Sequence, residues 1–269
     1  MEFPWVRTEL LFHEYRSDQR TGGIVLSGFF FAGVIDFISG GGGLITIPVM
    51  LAVGLPVHNI TGTNQCSTWV GTAVAACKYV RIGNIHLKSA IITLPFSIIG
   101  SYIGARLNLM VPDTSLKIFV LVTVPIIAGF VFANKKLGEE GHVEEKSTMH
   151  IAVCSAIIGL VLGGDYGFYG PGADMFFMLA YTALLNLNLV KATGNTRFVI
   201  DVSSVSSVIT YATVNAAILN LAIAATFFSM AGSYPGTALA IKNGAKIIRP
   251  IMFCVVTLLM VKLIADLLV

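Results

Sequence analysis

The sequence predicts an all-α, polytopic membrane protein that is built from two repeats, and three observations support this fold class. Of the 269 residues, 55% are hydrophobic and 12% are charged, with a mean hydropathy of +0.83; ordinary soluble domains carry about 25% charged residues. Apolar stretches of about 20 residues recur, which is enough to cross a hydrocarbon core of roughly 30 Å. Two glycine-rich interruptions, Gly40–Gly43 and Gly167–Gly172, divide the chain into similar halves.

Taken in order, the apolar segments form two groups of five. The first group lies at about 22–39, 43–55, 60–80, 87–108 and 115–133. The second group lies at about 150–166, 172–187, 192–212, 215–240 and 246–268. The second segment of each group is short and bounded by Gly, Pro or Asn, which is typical of a half-helix or re-entrant arm. Each repeat is therefore predicted to hold one broken hairpin and three transmembrane helices, giving 8–10 apolar segments in the chain.

The changes in composition place the boundaries of these units. Residues 1–21 mix aromatic and charged side chains and are predicted to lie along the bilayer surface rather than to form a signal peptide. Residues 22–133 form repeat 1, the charged stretch 134–149 is a linker, and residues 150–269 form repeat 2.

The duplication is visible in the sequence itself. Phe96–Gly104 resembles Phe228–Gly236, and Thr61-Gly62 resembles Thr193-Gly194, both at a shift of 132 positions. Because Lys and Arg favour the cytoplasmic side, charge decides how the repeats are oriented. An inverted arrangement with both termini outside places most of the 17 Lys and Arg residues inside, and a parallel arrangement places fewer there. Inverted repeats are therefore predicted.

Four carboxylates lie within the apolar sequence, and they are the candidates for proton coupling: Asp36, Asp165, Asp174 and Asp201. A carboxylate inside a membrane is costly and by default indicates a functional site. The alternative is structural, because an acid can also cap the exposed amides at a helix break.

The Thr-Gly turns suggest a site for an anion. Thr61/Thr63 and Thr193/Asn195 precede long apolar segments, where helix N-caps are expected, and the free amides of helix N-termini attract anions. Simple capping would explain the same residues without a ligand. The candidate substrate-binding residues are Gly41, Gly42, Gly43, Thr63, Asn64, Gln65, Gly170, Gly172, Asn195, Thr196 and Arg197.

Other functions have weak support in the sequence. The net charge of +3 is small, with the basic residues in short loops, so no nucleic-acid binding is expected. The four cysteines lie in apolar segments without paired spacing, so neither a metal nor a cofactor is expected. An intramembrane aspartyl protease would use Asp36 and Asp165, but Leu162-Gly163-Gly164-Asp165 lacks the first glycine of that pattern. We therefore do not expect an enzyme.

At these residues the sequence resembles the TauE/SafE (sulfite exporter) family of membrane permeases, from about residue 22 onward. The resemblance is carried by Asp36 with Gly40–Pro48 and Gly62-Thr63-Asn64 in the first repeat. In the second repeat and beyond, it is carried by Gly167–Pro171, Asn188–Thr193 and Lys246–Pro250.

This resemblance implies transport of sulfite, sulfonates or other small sulfur-containing anions, in some members coupled to the proton gradient. Three departures fall at the expected site. Gln65 stands where similar proteins commonly have Lys, the order Asp165-Tyr166 replaces Tyr-Asp, and Asp174 replaces a small residue.

Together these features predict a secondary transporter, exporter or permease, for a small anion such as sulfite or an organosulfonate like sulfoacetate. It would work by alternating access in the cytoplasmic membrane, with proton coupling through the carboxylates. The expected partners are the anion and the lipid bilayer, and a homo-oligomer is compatible with the sequence. The alternatives are an anion channel and a non-transporting membrane scaffold or sensor.

Overall fold

A computed structural model describes residues 19–52, 55, 57–112, 147–170 and 172–268. The predicted segment 115–133, most of residues 1–21 and most of the linker 134–149 lie outside the described residues. The described elements are all helices, numbered here α1 (Gln19–Ser39), α2 (Gly43–Ala52), α3 (Val57–Arg81), α4 (Leu87–Met110), α5 (Thr148–Phe168), α6 (Ala173–Leu185), α7 (Leu189–Thr213), α8 (Leu219–Asn243) and α9 (Ala245–Leu268).

The helix bounds follow the duplication seen in the sequence. Helices α1 and α5, which precede the two glycine breaks, have 21 residues each. Helices α3 and α7 have 25 residues each and begin at Val57 and Leu189, which differ by the same shift of 132 that relates the Thr-Gly turns. Within the described residues, α1 to α4 and α5 to α8 therefore follow one another in the same order and with similar lengths.

The short arms fold back along the helices before them. At about 1.5 Å per residue, the 10 residues of α2 and the 13 of α6 span roughly 15 and 20 Å, less than a hydrocarbon core. A Cβ placed on Gly28 of α1 would lie 3.3 Å from Val49 near the end of α2. His150 Nε2, at the start of α5, lies 3.1 Å from the carbonyl oxygen of Leu184 at the end of α6. Each pair is a hairpin whose tip is the glycine break.

Helices of one repeat pack mainly against helices of the other. Helix α1 packs on α8 and α5 packs on α4; likewise α3 packs on α8 and α7 packs on α4, while α3 and α7 contact each other. This exchange is the pattern that a two-fold relation between the repeats would produce. The inversion of the repeats across the membrane stays a prediction.

Small residues allow these helices to approach closely. A Cβ on Gly33 of α1 would lie 2.8 Å from the carbonyl oxygen of Ser229 on α8. In the matching interface, a Cβ on Gly104 of α4 would overlap the carbonyl oxygen of Gly164 on α5. Such contacts are common where membrane helices associate without a hydrophobic driving force.

Large apolar side chains cover the outer faces of the helices. Ile91 on α4, Ile157 on α5 and Phe227 on α8 are each more than half exposed. By length and composition, two of the described helices, Leu87–Met110 and Thr148–Phe168, could cross a membrane.

The α4–α5 interface yields a test of this packing. Gly104→Ala should lower the free energy of unfolding by about 1–3 kcal/mol, because the new methyl group meets backbone that cannot move aside. Gly164→Ala is the matched control: its Cβ would meet nothing closer than 3.8 Å, so the change should be neutral or slightly stabilising. Thermal unfolding in detergent measures both, and equal stability of the two variants would contradict the close packing.

Candidate functional site

The two glycine breaks meet in the interior of the protein. Gly40 follows α1 with a φ of +80°, and Gly170 follows α5 with a φ of +89°, a region that favours glycine. A Cβ on Gly40 would lie 2.7 Å from the Cβ of Asp174 in the first turn of α6. The missing side chain of Gly40 therefore makes room for an acidic residue of the other repeat.

A buried ion-pair triad connects the breaks. Arg197 on α7 donates through Nη1 to Oδ2 of Asp36 at 3.0 Å and to Oδ1 of Asp174 at 2.9 Å. The side chains of Arg197, Asp36 and Asp174 are only 2%, 9% and 12% exposed. Charges that are removed from water must be paired, so these three side chains depend on one another.

Asp36 is held from several directions. Its Oδ1 accepts the backbone N–H of Gly42 at 2.9 Å, so that Asp36 binds the amide just before α2 begins. Arg197 Nη2 also donates to the backbone carbonyl of Asp36, and the guanidinium lies 4.5 Å from the ring centroid of Phe37. A Cβ on Gly42 would overlap the Asp36 side chain, so glycine is required here for the carboxylate to reach the amide.

Both short arms begin at this triad. Asp36 contacts the amide that precedes α2, and Asp174 is the acidic residue in the first turn of α6. A helix N-terminus carries a partial positive charge and attracts anions. In this structure the protein's own carboxylates occupy that place at both arms.

A small cavity of about 20 Å³ lies at the centre of the site, with room for about one water molecule. Its lining comes from both repeats: Asp36, Gly43, Asn64, Gln65, Thr68, Thr72, Tyr166, Gly170, Asp174, Arg197 and Ile200. Among these described lining residues, the one cation and two carboxylates give a formal net charge of −1. Because the cavity is too small for an organic anion, the surrounding helices would have to move apart to admit one.

Gln65 and Arg197 occupy equivalent places in the two repeats. Gln65 Nε2 donates to the carbonyl of Tyr166 at 2.7 Å, as Arg197 donates to the carbonyl of Asp36. Each side chain also keeps one buried atom, Gln65 Oε1 and Arg197 Nε, without a hydrogen-bond partner among the described residues. The two repeats thus share a contact to backbone, but at this position the first repeat has a neutral side chain and the second has a charged one.

The expected N-caps at the Thr-Gly turns are wrong. Helices α3 and α7 begin earlier, at Val57 and Leu189, so Thr61 and Thr193 lie in the second turn with their amides inside the helix. The cap of α7 is Asn188, whose side chain accepts the backbone N–H of Lys191 at 2.9 Å. An Asn at this position makes the same hydrogen bond that was expected further along the chain.

Thr63 and Asn195 instead hold the start of a helix in the other repeat. Thr63 Oγ1 accepts the backbone N–H of Ile218, the residue before α8, at 2.9 Å. Asn195 Oδ1 accepts the backbone N–H of His86, the residue before α4, at 2.8 Å. These two contacts match under the repeat, and neither residue lines the cavity.

A short polar network surrounds the start of α4. Asn195 Nδ2 donates to Ser89 Oγ at 2.8 Å, and Ser89 Oγ lies 2.8 Å from His86 Nδ1. Burial lowers the pKa of His86, and the nearby charges of Lys191 and Lys88 lower it further. The imidazole is therefore neutral at pH 7, and its Nδ1 can either donate a hydrogen bond to Ser89 Oγ or accept one from it.

The four predicted carboxylates divide into two pairs. Asp36 and Asp174 meet at Arg197, whereas Asp165 lines a separate, apolar cavity on α4, α5 and α6, and Asp201 does not line the site. The carbonyl contacts make Tyr166, not Asp165, the equivalent of Asp36. Asp36 and Asp165, the pair that an aspartyl protease would use, line different cavities.

The structure thus brings part of the predicted site together. Seven predicted residues line the cavity: Asp36, Gly43, Asn64, Gln65, Gly170, Asp174 and Arg197. The others do not line it: Gly41, Gly42, Thr63, Gly172, Asn195, Thr196, Asp165 and Asp201.

Sequence reasoning missed Thr68, Thr72, Tyr166 and Ile200. Thr68 and Thr72 follow Asn64 at helical spacing, a signal that could have identified them. In the described ranges, no group of three or more His, Cys, Asp or Glu residues could hold a metal ion.

Apolar helices around a buried, charged site between two broken hairpins are typical of membrane transporters. Comparison with known sequences gives the particular family: residues 25–263 match the TauE/SafE sulfite exporter family, and the chain belongs to it. It is a membrane transporter of the TauE/SafE type.

Several curated relatives cover most of the chain. It is 32% identical to the probable membrane transporter protein ORF9 of Sinorhizobium sp. over 88% of this chain and 90% of the relative. It is 29% identical to the probable membrane transporter protein YfcA of Escherichia coli K12, over 87% and 86%, respectively. The probable membrane transporter protein YdhB of Bacillus subtilis is 26% identical over 79% and 87%. No solved structure matches the chain.

The triad predicts a specific coupling between Arg197 and Asp174. Arg197→Ala should lower the free energy of unfolding by about 3–5 kcal/mol, because two buried carboxylates lose their cation. Asp174→Asn should recover part of this loss in the Arg197→Ala background, since it removes one of the two like charges. Unfolding of both single variants and the double variant in detergent measures the coupling, and strictly additive effects would contradict the triad.

Asn195 should matter for stability and not for ligand binding. Asn195→Ala should cost about 1–2 kcal/mol, since the His86 amide loses its acceptor. Thr196→Ala is the control, because among the described residues the Thr196 hydroxyl donates to the carbonyl of Ala192 in its own helix turn. A ligand affinity that falls with Asn195→Ala at unchanged stability would return Asn195 to the site.

Proposed function

We propose that the protein is a secondary transporter of a small anion, with a sulfur oxyanion such as sulfite or an organosulfonate such as sulfoacetate as substrate. The observation that carries the proposal is the buried guanidinium of Arg197 between the starts of the two short arms. The description of the matching family as sulfite exporters supports the choice of substrate class.

The chemistry of the site suits an oxyanion. A guanidinium presents several N–H donors in one plane and binds carboxylate or sulfonate oxygens through two of them. Arg197 already binds carboxylate oxygens of two residues, and the arms α2 and α6 begin beside it. Asn64, Thr68 and Thr72 add neutral polar groups to the same cavity.

The composition of the site supports alternating access. Repeat 1 supplies Asp36 and Gln65, and repeat 2 supplies Asp174, Arg197 and Tyr166. A movement of one repeat against the other would separate these groups and open the cavity toward one side. Asp36 and Asp174, which share Arg197, are the carboxylates that would take up a proton in coupled transport.

The small size of the cavity also bears on the alternatives. A cavity of about 20 Å³ that is bounded by both repeats favours a carrier, which binds and occludes its substrate, over an open anion channel. The proposal includes a location in the cytoplasmic membrane with both termini outside. It does not include an enzymatic activity.

A binding screen tests the substrate class. Purified protein should bind at least one of sulfite, sulfate, thiosulfate, sulfoacetate, isethionate or taurine saturably, as seen by thermal shift and calorimetry, with carboxylates tested beside them. The control is the double variant Arg197→Gln, Asp174→Asn, which removes the guanidinium while keeping the formal charge of −1 in the cavity. We expect it to lose binding by at least about tenfold.

Two results would contradict the proposal. Binding of carboxylates but of no sulfur anion would show that the substrate is not a sulfur oxyanion. Unchanged binding in the double variant would show that Arg197 does not bind the substrate. In proteoliposomes, a carrier gives saturable flux and counterflow, a channel gives no counterflow, and a scaffold or sensor moves no solute.

A further inference from the structure

We infer that the substrate carries a cationic group together with its anionic group, so that this site takes a zwitterion such as an aminosulfonate, with Asp174 exchanging Arg197 for the cationic group of the substrate. This inference rests on the proposed function, because it names the kind of anion that Arg197 receives. It starts from the charges in the site, of which Arg197 is the one cation among the described lining residues.

Asp174 is the carboxylate that a substrate can displace. Asp36 is bound through Oδ1 to the Gly42 amide and through Oδ2 to Arg197, and its carbonyl is bound as well. The side chain of Asp174 contacts Arg197 through one oxygen and the amide of its own residue at the start of α6. Release of Asp174 breaks one ion pair, whereas release of Asp36 also frees the chain at the break.

The guanidinium of Arg197 has donors that a new anion could use. Its Nε is buried without a partner among the described residues, and its Nη1 is shared between two carboxylates. An oxyanion that takes the share of Nη1 now held by Asp174 would keep the guanidinium paired, while Nε on the opposite edge stays open to a second acceptor. Asp174 would then lose its cation while remaining buried.

While both carboxylates are ionised, charge balance favours one kind of anion. Asp36, Asp174 and Arg197 sum to −1, so a simple monovalent anion would bring the buried site to −2. A zwitterion leaves the sum at −1 and offers Asp174 a new cationic partner. Because unpaired buried charges are strongly unfavourable, the zwitterion is the better match.

The acceptors for an ammonium group are already present. An ammonium group has three N–H donors. Asp174 would supply one acceptor after its exchange, and Gln65 Oε1 is a buried acceptor without a partner among the described residues. Both line the same cavity, where the other ionisable groups are Asp36, Tyr166 and Arg197.

Three sulfonates of equal length test the inference. Taurine, isethionate and ethanesulfonate share a two-carbon sulfonate and differ only in an ammonium, a hydroxyl or a hydrogen at the far end. We expect wild-type protein at pH 7 to bind taurine at least about tenfold more tightly than the other two, from a charge-assisted hydrogen bond. Isothermal titration at fixed ionic strength measures all three.

Two variants locate the selectivity. Asp174→Asn removes the second carboxylate, so taurine should bind more weakly and isethionate more tightly, which reduces the ratio to below about threefold. Asp165→Asn is the matched control, because it removes an intramembrane carboxylate that lines a different cavity, and it should leave the ratio unchanged. If Asp174→Asn fails to fold, the wild-type ratio alone still decides.

Equal or tighter binding of isethionate in the wild type would overturn the inference and leave the proposed function standing. It would also be overturned if isethionate reached the affinity of taurine as the pH falls from 8 to 6, because a proton would then supply the positive charge. Failure of every sulfur anion to bind would instead remove the proposed function as well.

Discussion

The ion pairs of Arg197 with Asp36 and Asp174 are the constraint on which the rest of the structure depends. A guanidinium that is 2% exposed has to be neutralised within the protein, and the two carboxylates come from different repeats. Their approach requires that α1 stops at Ser39 and that Gly40 and Gly42 carry no side chain. The glycine run therefore leaves the space in which the charged side chains meet.

The duplication supplies the frame, and divergence between the copies supplies the chemistry. Thr63 and Asn195 hold equivalent helix starts, and Gln65 and Arg197 donate to equivalent carbonyls. These neutral contacts are repeated because equivalent helices of the two halves pack in the same way. The charges are not repeated: the first repeat contributes Asp36, and the second contributes Arg197 and Asp174.

The starts of both short arms are occupied by carboxylates of the protein. The proposed substrate anion would therefore have to compete with an internal one, because the triad already pairs Arg197 across the repeats. In the proposed exchange, a ligand that replaces Asp174 on Arg197 would change the contacts between α6, the short arm, and α7, the helix that follows it. Binding would then be coupled to movement of the repeats.

The sequence by itself determined the membrane class, the order of the apolar helices, the two short arms and seven of the residues that line the cavity. Composition, segment length and internal similarity can be read directly from the sequence, without knowing which residues meet in space. Asp36 and Arg197 were identifiable in the same way, because ionisable residues in apolar sequence are conspicuous.

Tertiary structure alone decided which of these residues meet. Asp174 joins Arg197 because Gly40 of the other repeat makes room for it, and Asp165 is turned to a different cavity although it looks similar in sequence. Thr63 and Asn195 were mistaken for local caps, because the amides they bind belong to helices that begin about 110 to 155 positions away along the chain. A hydrogen bond of that kind leaves no local pattern, since its donor is brought close only by the packing of one repeat against the other.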